Sequence, residues 1–185
     1  MKIYTRKGDD GTTGLLYGGR VPKDSPTIEA NGAVDEAQAA MGVARAEAEP
    51  GGELDQLLTR LERDLYVLMA EVATAPANRR KLEPGRSLVT PEMVAALEAD
   101  IDRLTGLFQM PAEFVVPGQG RAAAALDVAR TVVRRAERLC LALPPSDPPS
   151  HVVPYLNRLS DLLWTMARWQ EGQSLSSRTG KAAAR

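Results

Sequence analysis

Apolar residues recur at intervals of three and four over five stretches of the 185-residue chain. The clearest is Leu54, Leu57, Leu58, Leu61, Leu65, Leu68 and Val72, which form one face of a helix ending before Pro76. An earlier periodic stretch runs from about Ile28 to Glu47 and is broken by Pro50-Gly51-Gly52. Thr90-Pro91-Glu92-Met93 predicts a helix start, with Thr as cap, Pro in the first turn and an acid facing the positive end of the dipole. That helix runs to about Leu104, with Gly106 as its stop. A fourth extends from about Arg121 to Leu143, where PPSDPPS (144–150) breaks it. The fifth extends from about Val153 to Glu171, with Leu156, Leu159, Leu162, Leu163 and Met166 on its apolar side. Between them, 76–90 read as a polar loop, and Phe114-Val115-Val116 is a short apolar run before Pro117-Gly118-Gln119-Gly120. Residues 1–27, rich in Gly, Thr, Asp and Pro, read as an extended segment with turns. Almost no strand signal remains. The pattern predicts an all-α fold, a five-helix antiparallel bundle preceded by an extended N-terminal segment.

Composition narrows the function classes. The chain is 44% apolar and 25% charged, the make-up of an ordinary globule. Its 23 basic and 24 acidic residues give a net charge of -1, which argues against electrostatic capture by nucleic acid or a membrane surface. Residues 172–185 carry Arg178, Lys181 and Arg185 and no acid, so they read as a disordered basic tail following a single domain of 1–171. One cysteine and one histidine, Cys140 and His151, permit neither a disulfide within the chain nor a Cys/His zinc cluster, nor the paired Glu-x-x-His motifs of a di-iron bundle. The opening MKIYTRKGDDGTTG has no signal-peptide core, and no window approaches 18 apolar residues, so the expected location is the cytoplasm.

Three segments carry candidate chemistry. Arg130, Arg134 and Arg138 are spaced four apart, so their guanidinium groups follow one side of the fourth helix over about 12 Å. Like charges at this spacing repel, and either a carboxylate partner or a polyanion relieves them. Planar guanidinium forks match phosphate oxygens. The alternative is a solvated basic face with Glu137 as intrahelical partner; Asp35 on the first helix is a candidate partner for an inward-facing arginine. The N-terminal stretch Thr5-Arg6-Lys7-Gly8-Asp9-Asp10-Gly11-Thr12-Thr13-Gly14 could wrap a phosphate chain with backbone N–H groups, or be a flexible arm; it does not fit the Walker A pattern. Asn157, Ser160 and Asp161 open the last helix among leucines and could bind a ligand or cross-link the bundle. Gly118-Gln119-Gly120-Arg121-Ala122-Ala123 matches a dinucleotide fingerprint literally, but without a βαβ unit it reads as a tight turn. Cys140, among leucines, reads as a small buried apolar group.

Taken in order, Thr5 to Gly11, Val34-Asp35-Glu36, Phe114 to Gly118, Arg130 to Arg138 with its RRAER run, and Tyr155-Leu156-Asn157-Arg158-Leu159-Ser160-Asp161 resemble the ATP:cob(I)alamin adenosyltransferases of the PduO type. The resemblance extends to about residue 171. It implies a five-helix bundle that assembles as a homotrimer with ATP bound between subunits. It further implies an ATP site formed by Thr5, Arg6, Lys7, Gly8, Thr13, Gly14 and Lys23 of one subunit and Arg134, Arg135, Glu137, Arg138 and Asn157 of its neighbour. Arg130 would pair with Asp35 across the subunit contact, and Phe114 would line the corrinoid pocket. The implied catalytic groups are Arg134, Lys7 and Phe114. Mg²⁺ would arrive with ATP, held mainly by its phosphates with no protein-only site.

The implied reaction moves the 5′-deoxyadenosyl group of ATP to the Co(I) of cob(I)alamin, giving adenosylcobalamin and triphosphate. A cobalt reductase and an adenosylcobalamin-dependent enzyme would be its partners. The alternative is a non-catalytic helical module that delivers nucleotide or finished cofactor. Two departures stand out: Gly118-Gln119-Gly120 replaces a Pro-Gly-Gly followed by Ser or Thr, and Asp127 stands where His is common.

Overall fold

The computed structural model describes residues 3–178. Five helices, α1 (Pro26–Ala46), α2 (Glu53–Val72), α3 (Pro91–Thr105), α4 (Arg121–Leu141) and α5 (Val152–Glu171), pack around one apolar core. α1 lies against α4 and α2; α4 and α3 each lie against α5. The closest partners are also the ones built from small residues. α1 buries Ala30, Ala33, Ala37 and Ala44, and α4 buries Ala123, Ala129 and Ala136, which lets the two helices approach closely. Leucines from α2, α3 and α5, with Met41, Leu126 and Met166, fill much of the rest, each contributing on the order of 1.5–3 kcal/mol when fully buried.

Most boundaries fall where the punctuation put them. Thr90 caps α3 by accepting from Met93 N–H (3.4 Å), with Pro91 next in the chain. Glu171 is followed by Gly172 at φ 67°, a left-handed turn that ends α5 and that glycine adopts without strain. α1 begins two residues before the first apolar position because Pro26 pre-sets its first turn.

Three expectations are corrected. The extended N-terminal segment contains a short antiparallel hairpin, β1 (Thr12–Gly14) with β2 (Arg20–Pro22), in which Thr13 opposes Val21. The polar loop after α2 contains a 3-10 helix, Pro76–Lys81. The basic tail is not free from residue 172: Val116 N–H donates to Leu175 O, and Ser177 N–H to Phe114 O, both at 2.8 Å. Residues 179–185, the rest of that tail, lie outside the described residues. Among the described residues no helix is long and apolar enough to cross a membrane.

Neither Glu71 nor Asp64 is singled out by the sequence as a charge inside the bundle. Glu71 is 1% exposed, and its carboxylate accepts from Arg79 Nη2 (2.8 Å), Ser150 Oγ (2.6 Å) and Val89 N–H (2.8 Å). It thereby ties the end of α2 to the 3-10 helix and to two loops. Tyr155 donates its hydroxyl to Asp64 (2.9 Å) across α5 and α2.

Burial raises the Asp64 carboxyl above the usual carboxylate range, partly offset by the bond from Tyr155. The folded state therefore holds that proton more tightly than the unfolded chain, and this group's contribution to stability declines as pH rises through the carboxylate range. Asp64→Asn, whose Oδ1 still accepts from Tyr155, is expected to gain stability relative to the parent between about pH 4 and about pH 7. Urea unfolding at the two pH values measures it. Burial also pushes the Cys140 thiol up to about 12. Its thiolate fraction near pH 8 is then about one part in ten thousand. Native protein should leave a disulfide reagent unreacted, and unfolding in denaturant should release one reactive thiol per chain.

Candidate functional site

The arm before α1 is folded by its own polar groups. Asp10 Oδ1 accepts from Thr12 N–H (2.9 Å) and Thr12 Oγ1 (2.8 Å), and these bonds, with Arg20 beside them, hold its carboxyl below the usual range. Arg20 reaches back from β2: its guanidinium donates to Lys7 O (2.5 Å) and Thr12 Oγ1 (2.6 Å). Gly11, at φ 80°, makes the turn that lets its carbonyl accept from Lys23 N–H (2.9 Å). Gly8 sits where a Cβ would lie 3.1 Å from both Lys23 Nζ and Thr12 O, so only glycine lets the chain pass there undisturbed. Lys7, Gly8 and Lys23 are thus gathered at one place, with Thr13 and Gly14 in the strand beside them. Arg6 adopts φ 59°, which is costly for a side-chain-bearing residue and marks a constrained position.

The arm is anchored at the far end of α2. Leu16 N–H donates to Ala73 O (2.9 Å), Asn78 Nδ2 reaches the carbonyls of Tyr17 and Gly18, and the Tyr17 hydroxyl meets Ser87 Oγ (3.3 Å). Arg20 and Asp10, which shape the arm, were not singled out from the sequence. The signal was present in Asp10-x-Thr12, the spacing of an Asx turn.

The four arginines between 130 and 138 on α4 divide into two pairs. Arg130 meets Asp127 on its own helix (3.4 Å), and Arg135 forms an ion pair with Glu36 of α1. Arg134 and Arg138 are exposed, and among the described residues neither has an ion-pair partner. Glu137 does not serve the arginines as an intrahelical partner: its Oε1 accepts from Asn157 Nδ2 (3.0 Å), joining α4 to α5. The other end of that amide accepts from Arg158 (2.9 Å). Ser160 donates to the carbonyl of Asn157 (2.8 Å), so it stiffens the helix rather than facing a ligand.

Within one chain Asp35 and Arg130 are not paired. Asp35 instead opens onto a groove between α1 and α2 that it shares with Gln38, Arg45, Glu62, Arg63 and Tyr66. Phe114 is 88% exposed, on an irregular segment bridged at Val115 to Ser176; Gly118 (φ 113°) makes the turn that the fingerprint-like glycines suggested.

The chain brings its candidate residues together in two groups. No hydrogen bond or ion pair among the described residues joins the arm (5–23) to the group on α4 and α5. Among the described residues no three His, Cys, Asp or Glu side chains gather into a metal site.

Comparison with known proteins places the chain in a family. Residues 3–170 match the profile of the family described as Cobalamin adenosyltransferase. A corrinoid adenosyltransferase of Citrobacter freundii is 40% identical over 171 residues, covering 92% of this chain and 95% of its own length. The Corrinoid adenosyltransferase PduO of the same organism is 39% identical over 92% of this chain, and this chain spans half of that relative's length. A corrinoid adenosyltransferase of Mycobacterium tuberculosis is 39% identical over 90% of this chain and 87% of its own length. Among solved structures, a variant PduO-type ATP:corrinoid adenosyltransferase from Lactobacillus reuteri, complexed with cobalamin and ATP, superposes with a TM-score of 0.83. It is 27% identical over 97% of this chain and 98% of that one. The helical bundle is therefore shared with known proteins, and the chain belongs to the cobalamin adenosyltransferase family.

Proposed function

We propose that two copies of this chain build each reaction site, the arm of one facing the arginine helix of the other, and that the site moves the 5′-deoxyadenosyl group of ATP to the Co(I) of cob(I)alamin. The transfer itself is the family's reaction. The observation that supports a shared site is the division within one chain: Lys7, Gly8 and Lys23 are gathered in the arm, while Arg134 and Arg138 stand exposed on α4 with no ion-pair partner among the described residues. Three copies closing in a ring would repeat the same contact at each interface. The groove holding Asp35, where Glu62 Oε1 is buried without a hydrogen-bond partner, suits Arg130 of a neighbouring copy.

In this reading Thr5, Arg6, Lys7, Gly8, Thr13, Gly14 and Lys23 wrap the polyphosphate from one side. Arg134, Arg135, Arg138 and the linked Glu137–Asn157 pair hold it from the other. The cobalt lone pair attacks the 5′ carbon, a Co–C bond forms, and the C5′–O bond breaks with its electrons leaving on triphosphate. Cobalt is oxidised from Co(I) to Co(III) in the same step. The leaving group is the whole triphosphate, so charge develops where guanidinium and ammonium groups already point, and they stabilise the departing anion without a general base. Mg²⁺ is the counter-ion carried by the phosphates. Phe114, apolar and exposed, would cover the lower face of the corrinoid and keep water and the displaced base away, which eases reduction to Co(I). A reductase supplying that electron and an enzyme consuming adenosylcobalamin, both in the cytoplasm, complete the proposal.

The test is anaerobic incubation with ATP, Mg²⁺ and chemically reduced cobalamin, read as formation of the light-sensitive adenosyl product together with triphosphate. Tight ATP binding without product would favour a carrier instead.

A further inference from the structure

The carboxyl end of α5 holds a charge cluster that the assignments above touch only through the Arg130–Asp127 contact. Arg168 is 1% exposed, and its Nη2 donates to Asp127 Oδ2 on α4 (2.5 Å) and to Glu171 Oε1 one turn on (3.1 Å). The indole of Trp164 lies 5.6 Å from the guanidinium carbon. The Glu171 side chain is itself fully buried, and its second oxygen accepts from Ser174 Oγ (3.0 Å), two residues past the turn at Gly172. From Ser174 the chain runs antiparallel to 114–116, held by the two backbone bonds between Val116 and Leu175 and between Ser177 and Phe114. Ser176 Oγ adds a bond to Glu113 (2.6 Å).

This strap does nothing for the core. Leu175 is 52% exposed, Ser176 and Ser177 are exposed, and the residue they hold, Phe114, is more exposed still. A buried guanidinium between two carboxylates is a rigid seat, because moving it would leave a charge unpaired away from water. A rigid seat joined to an exposed strap restrains a loop whose most exposed large apolar group is Phe114, and such restraint lowers the entropy lost when a ligand docks. Asp127, which also meets Arg130 on its own helix, has its role here as the anion that holds Arg168.

We infer that Arg168 and Glu171 are positioning residues for the corrinoid side of the reaction: they seat residues 174–177, and that strand fixes the backbone presenting Phe114. The inference rests on the reading of Phe114 as the corrinoid-facing residue.

Ser177→Pro, which removes the N–H donated to Phe114 O, and Ser174→Ala, which unfastens the strap from Glu171, test it in the full chain. Both sites lie outside the core, and thermal melts check that the fold is kept. Ser177→Pro is expected to raise KM for corrinoid about 5- to 10-fold, the weight of one or two net hydrogen bonds, with KM for ATP unchanged. The fraction of bound cob(II)alamin that loses its lower axial base in the presence of ATP, read by electron paramagnetic resonance, should fall as well. Arg168→Lys, which cannot bridge two carboxylates, should act in the same direction. In a Phe114→Ala background, Ser177→Pro should add nothing further. Parental corrinoid kinetics in both serine variants beside an impaired Phe114→Ala would overturn the strap. An unimpaired Phe114→Ala would overturn the placement of Phe114, and the strap's role with it.

Discussion

Arg134→Ala is expected to lower kcat with chemically reduced cobalamin by roughly a hundred- to a thousandfold, the cost of removing one preorganised donor from a developing anion. The fold should not suffer. Arg134 is exposed and without an ion-pair partner among the described residues, and it lies four residues from both Arg130 and Arg138. Removing it relieves like-charge repulsion worth about 0.2–0.5 kcal/mol per pair, so stability should hold or rise slightly. Arg134→Lys should recover only part of the rate, because an ammonium keeps the charge and loses the two-pronged geometry. Steady-state kinetics paired with a thermal melt separates the two effects. A variant that melts like the parent and turns over like it would remove Arg134 from the mechanism.

The largest stability effect should come from Glu71→Ala. Its carboxylate satisfies Arg79, Ser150 and the Val89 N–H, all at 2.8 Å or less, while being 1% exposed. Removing it strands Arg79, whose side chain is only 18% exposed, and leaves a buried N–H without a partner. Loss of one member of such a pair costs about 3–5 kcal/mol. For a chain of this size that corresponds to a melting temperature lower by roughly 10 °C. Urea unfolding and calorimetry measure it. Glu71 also holds the 3-10 helix whose Asn78 binds the arm at Tyr17 and Gly18, so KM for ATP should rise in this variant. A stability loss below about 1 kcal/mol would show that the network adapts.

What the sequence revealed follows from how each feature is encoded. The helices were legible because Leu54 to Val72 and Leu156 to Met166 repeat with the helical period, and because Thr90, Gly106 and the PPSDPPS run supply a cap and stops. The hairpin was not, since Thr12–Gly14 and Arg20–Pro22 are three residues each, too short for alternation to emerge. Glu71 and Arg168 were missed for a different reason. Each occupies the apolar side of its helix, next to Val72 and Ala167, and nothing local tells a satisfied buried charge from an exposed one; the partners that satisfy them lie on other segments. The arginine row was visible by spacing, but its division into paired Arg130 and Arg135 and unpaired Arg134 and Arg138 depends on Asp127 and Glu36, and so on how α1 meets α4.

The central claim is that each site takes its arm from one chain and its arginines from another. Mixing two inactive variants tests it directly. Lys7→Ala carries a defective arm, Arg134→Ala a defective helix, and the two are unfolded together, refolded in equal amounts and assayed. If sites form between chains, random pairing joins an intact arm to an intact helix at about one quarter of the interfaces, and about that share of parental activity should return. If one chain supplies both halves, every site keeps one defect, and the mixture will be as inactive as its components.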